Sequence, residues 1–186
     1  PKSWWRRCPG SNYPPRKALM IARDIILTRL DQQTHSEDAL DLATRAADYV
    51  TLEVGYAPDE AYIHDFFTAT PPDLGPECLI HLGVMEEPAM VGMLCIAEGY
   101  EYPDDWWISL MLMDPAFRGQ RIGHRVIDLV KGRAKDCGVN MIKLAVLSAN
   151  PRGHKFWHRE GFVHHRDAPA TPDSDGHDRV VLKYKV

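Results

Sequence analysis

Residues 106–147 constrain this chain more than any other stretch. Residues 106–113 form an apolar run of strand length, ended by Asp114-Pro115. From Arg121 to Cys137 the apolar residues Ile122, Val126, Leu129, Val130 and Ala134 recur at helical spacing, and Gly138 stops the helix. Residues 141–147 are a second strand of buried character. Two strands joined by such a helix pair in parallel, through a right-handed crossover. The strands before this unit are joined by short turns. Residues 78–85 and 89–97, split by Glu86-Glu87-Pro88, predict a hairpin. The expected fold is therefore α/β (α+β), with a mixed, mostly antiparallel central sheet of about six or seven strands and helices on both faces.

The remaining elements fit one domain. A short strand is expected at 25–30. Ser36 reads as an N-cap, with Glu37 and Asp38 in the first turn, ahead of a helix carrying Ala39, Leu40, Ala43, Ala46, Ala47 and Val50. A second helix runs from Pro58 to Phe67. Asn150-Pro151 opens a short helix that ends at Gly161, and residues 162–165 and 180–184 read as closing strands. Residues 1–22 read as an irregular extension and 23–186 as the domain. A chain of 186 residues can bury about 70% of its unfolded surface, so it needs no staple. The longest apolar run, 89–97, is nine residues, against about 20 for a membrane span. Cys8, Cys78, Cys95 and Cys137 show no metal spacing and suggest a reducing compartment. The first residues lack a signal peptide's apolar core. The expectation is a cytoplasmic protein with no membrane partner.

Charge is unevenly placed. Residues 46–117 carry fourteen Asp/Glu and no Lys or Arg, whereas residues 118–186 carry fourteen Lys/Arg and seven acids. The acidic middle should draw cations and the basic remainder anions. A pI near 6.1 argues against a nucleic-acid partner.

The stretch Met-Asp-Pro-Ala-Phe-Arg-Gly-Gln-Arg-Ile-Gly, residues 113–123, carries the chemistry. A helix start leaves backbone N–H groups without intrahelical acceptors, and the helix dipole favours an anion there. Gly119 and Gly123 allow close approach, and Arg118 and Arg121 add positive charge. The composition is that of a phosphate cradle. It is neither a P-loop nor a GxGxxG fingerprint. Read without the function, the same residues make an ordinary helix start with surface arginines.

These residues resemble motif A of the GNAT superfamily of acyl-CoA-dependent N-acetyltransferases. Asn150 with Phe156-Trp157-His158-Arg159-Glu160-Gly161-Phe162 resembles that family's motif B at the proper separation. The resemblance implies an acetyl-CoA cleft where strands 106–113 and 141–147 splay apart. It implies a pyrophosphate held by the amides of Arg118, Gly119, Gln120, Arg121, Ile122, Gly123 and His124. The pantetheine arm then pairs along Met111, Leu112 and Met113, whose amides can polarise the acetyl carbonyl, while Asn150 and Phe156 line the other wall. Asn150 also reads as a plain N-cap. Two positions depart from the family pattern. Arg121 replaces a glycine, and Trp157 stands where many relatives carry a Tyr; an indole cannot act as an acid at neutral pH.

The implied reaction is direct attack of a primary amine, in a ternary complex, on acetyl-CoA. The amine must first lose a proton, and a carboxylate can take it. The central-strand position that carries Glu in many relatives is Ser109. The nearby acids are Glu98, Glu101, Asp104 and Asp105, and Glu98, with Ser109 holding a water, is the candidate base. All four also read as solvated loop acids. One of Trp106 and Trp107 should enter the core, and the other can wall the acceptor site. The expected acceptor is a small-molecule or protein amine, cationic in character, and a homodimer is left open. No metal is expected, since His154, His158, His164 and His165 lack completing ligands. The alternative function is a non-catalytic acyl-CoA-binding or regulatory module on the same fold.

Overall fold

The parallel crossover forms as the sequence predicts, and the sheet grows outward from it. The computed structural model describes residues 20–22, 25–86, 88–171 and 176–186. β5 (Asp105–Met113) leads through a one-turn 3-10 helix into α4 (Ile122–Asp136), which returns to β6 (Met141–Leu147). β5 and β6 pair in parallel. β3 (Leu79–Glu86) and β4 (Ala89–Glu98) form the predicted hairpin, and β4 pairs antiparallel with β5. Upstream lie β1 (Met20–Ala22), β2 (Ile25–Arg29), α1 (Gln32–Arg45), α2 (Ala47–Val54) and α3 (Glu60–Thr68). Downstream lie α5 (Pro151–Arg159), β7 (Val163–Ala168) and β8 (Arg179–Lys185). The eight strands are ordered β1-β2-β3-β4-β5-β6-β8-β7, and β5–β6 is the parallel pair.

Strand alternation divides the apolar residues between two faces. Ile80, Leu82, Leu94, Ile96, Ile108 and Ile142 meet Ile122, Val126, Val130 and Ala134 of α4 on one face. Met90, Met93 and Leu112 meet Leu42, Ala43, Val50 and Ile63 of α1–α3 on the other. The helix face predicted for α4 is the one that is buried.

Four local readings change. α1 begins at Gln32, not after Ser36. Asp31 accepts a hydrogen bond from the Gln33 N–H at 3.0 Å, while Ser36 sits inside the helix. The cause is the preceding strand: the Leu30 N–H is still bonded to the His81 carbonyl at 2.9 Å, so the chain turns at once into an Asp cap. α3 is likewise capped by Asp59, one residue after Pro58. Met20–Ala22, placed in the extension by sequence, is a strand paired with β2; residues 1–19 lie outside the described residues. Finally, Cys137 at the C-cap of α4 is disulfide-bonded, so the four cysteines are not all free thiols; Cys78 and Cys95 are.

Candidate functional site

β5 and β6 pair from Asp105↔Met141 only as far as Ile108↔Leu144. Beyond that, β5 stays with β4 out to Met113↔Gly92, and β6 stays with β8 out to Leu147↔Arg179. The two strands part, and a cleft of about 580 Å³ opens between them. Ser109, Met111, Leu112 and Met113 line it from β5, as the resemblance implied. The parting coincides with a bulge. Cys95 faces Leu110 and Ile96 faces Ile108, which leaves Ser109 as the extra residue. The Ser109 side chain bonds the Cys95 thiol, which burial pushes up to about 12. Neither group is a base.

At the open end of β5 the chain turns through Arg118–Arg121 into α4. Gly119 has φ +80, and a Cβ there would meet nothing within 4 Å, so the turn leaves open room beside its backbone. Arg121 is the N-cap of α4, exposed and left-handed at φ 62. That geometry explains why a glycine suits this position and why an Arg is strained. No side chain caps α4, so the N–H groups of its first turn are not taken by a capping residue. The open room, the uncapped helix start and the neighbouring cations fit a phosphate-bearing acyl carrier.

The opposite wall is α5. Asn150 lines the cleft and caps α5, its Oδ1 accepting from the Gly153 N–H at 2.9 Å. Phe156 lines the cleft, and a Cβ on Gly123 would lie 3.1 Å from its ring. Gly123 therefore serves the contact between α4 and α5 as well as the cleft. Arg152, Lys155 and Arg159 bring three cations to this wall. The helical spacing of 152, 155 and 159 was the available sequence signal, and the sequence reading passed over it. Trp157 also lines the cleft and is buried against Phe156 and Phe162, with ring centroids 4.8 and 5.1 Å away.

The third wall was not legible in sequence. Asp48, Tyr49 and Leu52 of α2 line the cleft from across the sheet. Asp48 accepts both terminal nitrogens of Arg118, and Arg118 Nε also donates to the Met113 carbonyl at 3.0 Å. The Arg118 guanidinium holds the Asp48 carboxyl below its usual range. Arg118 thus lines the cleft as a latch between α2 and the turn, not as free charge. The Tyr49 hydroxyl donates to Glu53 Oε1 at 3.4 Å, and the buried Tyr62 hydroxyl donates to Glu53 Oε2 at 3.2 Å.

Several predicted residues lie elsewhere. Glu98 does not line the cleft. It ends β4 opposite Trp106, on the α4 face with Ile96. Burial pushes its carboxyl up to about 7, against the pull of Arg133 and Arg29. Even-numbered alternation carries it away from Ser109, which removes it as the base. Glu101 and Asp105 are also spoken for: Lys143 Nζ lies 3.1 Å from Glu101 and 2.8 Å from Asp105, and Arg166 lies 2.7 Å from Glu101. Gln120, Arg121, Ile122 and His124 do not line the cleft with side chains. Gln120 folds back onto the Ala116 carbonyl at 2.9 Å, and Ile122 is in the core. His124 is held by Glu160 at 2.7 Å and Asp128 at 3.3 Å. His124, Asp128 and Glu160 do bring three ligand-type atoms within 4.8 Å, a grouping the sequence reading did not see, but both ring nitrogens already face carboxylates. Trp106 is core, and Trp107 packs on Tyr100 with centroids 5.2 Å apart instead of walling the cleft.

A mixed sheet parted at its parallel pair, with an uncapped helix start on one lip, defines an acyltransferase-type α/β fold. Residues 47–162 match the model of the acetyltransferase (GNAT) family, and the chain belongs to that family. Comparison with curated protein sequences finds no match. Among solved structures it is similar to an acetyltransferase of Thermus thermophilus, with TM-score 0.72 and 17% identity, covering 90% of this chain and 100% of that one. It is similar to the ribosomal-protein-S18-alanine N-acetyltransferase of Escherichia coli, with TM-score 0.64 and 15% identity, covering 87% and 93%. It is also similar to the PaiA N-acetyltransferase of Thermoplasma acidophilum in complex with coenzyme A, with TM-score 0.61 and 16% identity, covering 88% and 100%. Among the described residues no helix is long and apolar enough to cross a membrane.

Proposed function

We propose that this protein transfers an acetyl group from acetyl-CoA to a primary amine by direct attack within a ternary complex. The observation that carries this reading is the cleft at the β5–β6 parting, with the uncapped start of α4 at one end and the unpaired edge of β5 along its floor. Asn150, Phe156 and the α5 cations form the wall that would hold the carrier. The coenzyme A complex of the structurally similar PaiA enzyme supports the same carrier. The amine is read as cationic and either small or protein-borne. Four of the fourteen acids in residues 46–117 are neutralised by Arg45, Arg118, Lys143 and Arg166, but α2 and α3 themselves contain no Lys or Arg. The negative potential of the acceptor side therefore comes from that helical end. Cytoplasmic location belongs to the same proposal, although the Cys137 disulfide withdraws the free-thiol argument for it.

The test is coenzyme A release from acetyl-CoA across a panel of polyamines, aminoglycosides, lysine-containing peptides and acidic amino acids. Turnover with the cationic amines, falling steeply with salt because steering is screened beyond about 10 Å at 0.1 M, is expected. Preference for an acidic or neutral acceptor would overturn the cationic assignment. Tight coenzyme A binding with no turnover on any amine would instead support the non-catalytic module, which the absence of a carboxylate at Ser109 and of a titratable group at Trp157 favours.

A further inference from the structure

The amine must lose a proton before it attacks, and the described cleft offers few groups that can take one. Its titratable lining is Asp48, Tyr49, Arg118, Arg152, Lys155 and Arg159. The cations cannot accept a proton. Asp48 is held in a two-point pair with Arg118. Tyr49 remains, and it does not stand alone. Its hydroxyl leads to Glu53, 3.4 Å away, and the other oxygen of Glu53 is fixed by Tyr62 at 3.2 Å. Tyr49 belongs to the same apolar cluster as Leu110 and Leu112, the β5 residues that follow the Ser109 bulge, and lines the cleft with them.

We infer that Tyr49 is a catalytic residue of the proposed transfer, passing the proton of the acceptor ammonium to Glu53. The inference rests on the transferase reading. In the step, one N–H bond of the ammonium breaks and its proton goes to the Tyr49 oxygen, while the Tyr49 proton moves to Glu53 Oε1. The nitrogen lone pair then forms a bond to the acetyl carbonyl carbon. The C–S bond breaks with its electron pair on sulfur, and the thiolate takes the second proton the nitrogen sheds. Amide and free coenzyme A thiol leave, and Glu53 returns its proton to solvent. Glu53 and Tyr62 act through Tyr49 and are positioning residues. The route also explains how the fold manages with Ser109 on β5 and Trp157 on α5, which supply neither a carboxylate nor a phenol. The charged and titratable groups around the relay are Arg179 at the start of β8, Tyr62 of α3, Tyr56 just past α2, and the Asp48–Arg118 pair with Arg152 nearby.

The test uses the whole chain with two probe acceptors at pH 7: spermidine, which is an ammonium, and acetohydrazide, which is already neutral. Tyr49→Phe and Glu53→Gln should each lower kcat with spermidine about a hundredfold, the low end for general acid–base contributions. The loss should shrink to within about threefold for acetohydrazide, and with spermidine it should recover as pH rises and the free amine accumulates. Coenzyme A affinity and Tm should stay near those of the parent, and Glu53→Asp should regain part of the rate. Variants within threefold of the parent on spermidine, or an equal loss on both acceptors, would overturn the relay while leaving the transferase reading intact. No turnover by the parent on either probe, with coenzyme A still bound, would overturn the transferase reading and the relay together.

Discussion

The two long walls of the cleft are built differently. The α4–α5 wall comes from one continuous stretch, residues 118–159, whose turns, caps and glycines are set by neighbours a few residues away. The α2 wall meets it from about 70 positions upstream, fixed by Asp48 reaching Arg118, a separation of 70 residues. The first wall is basic, with Arg152, Lys155 and Arg159. The second carries Asp48, Tyr49 and Leu52, with the Asp48 carboxylate paired to Arg118. The α2 wall reaches the turn through the Asp48–Arg118 pair, so a change in one helix alters this wall and leaves the α4–α5 wall in place.

The largest expected effect separates the walls. Gly123→Asp places a Cβ 3.1 Å from the Phe156 ring and a carboxylate beside the carrier's phosphates. Coenzyme A Kd by calorimetry should rise about a hundredfold or more, equivalent to about 2.7 kcal/mol. Pantetheine, which lacks the pyrophosphate, should already bind the parent far more weakly than coenzyme A. Equal affinities would break the assignment of the phosphates to this wall.

Glu98 is the next case, and it lies on neither wall. Its folded carboxyl titrates near 7, above the ordinary 4.5. A raised carboxyl pKa means that the folded state prefers the protonated form. Its contribution is therefore fully favourable below about 4.5 and is lost as pH rises through about 7. Glu98→Gln should then be more stable than the parent by on the order of 2–3 kcal/mol at pH 8, and by almost nothing at pH 4, in denaturant unfolding. Its kcat should be unchanged; a large drop would return Glu98 to the catalytic site.

Leu52→Arg tests the acceptor wall alone. A cation placed there should lower kcat/KM for a cationic amine about tenfold, through like-charge repulsion, with coenzyme A Kd unchanged. If coenzyme A affinity moves equally, the two walls are not separable. Arg121→Gly is smaller. Relief of a left-handed Arg at φ 62 should raise stability by about 1 kcal/mol, seen as a higher Tm. Trp157→Phe should do least to the chemistry: kcat should stay within about threefold because Trp157 only packs, whereas a loss beyond about a hundredfold would mark a proton-transfer role.

The parallel crossover, the α4 face, the hairpin, the turn at 118–121 and the Asn150 cap were all legible in sequence. Each follows from periodicity, a breaker or a cap acting within one or two turns of chain, and such signals are local. The start of α1 was misplaced because Asp31 and Ser36 are both sound caps by residue type. The choice fell to the Leu30–His81 hydrogen bond, a contact 51 positions apart. The base was misplaced for a related reason. Glu98 is near the splay in sequence, but strand alternation puts it under α4, and a run of residues does not show which face of a sheet another element will cover. The disulfide at Cys137, the Asp48–Arg118 latch and the contact of Tyr62 with Glu53 needed the folded chain, whereas Tyr49 and Glu53 are four positions apart on α2. What the sequence determined by itself was the turn and the α4–α5 wall, because a helix start, caps and glycines act where they stand in the chain. What only the tertiary structure decided was the α2 wall, because side chains from separate elements become neighbours only when packing brings them together.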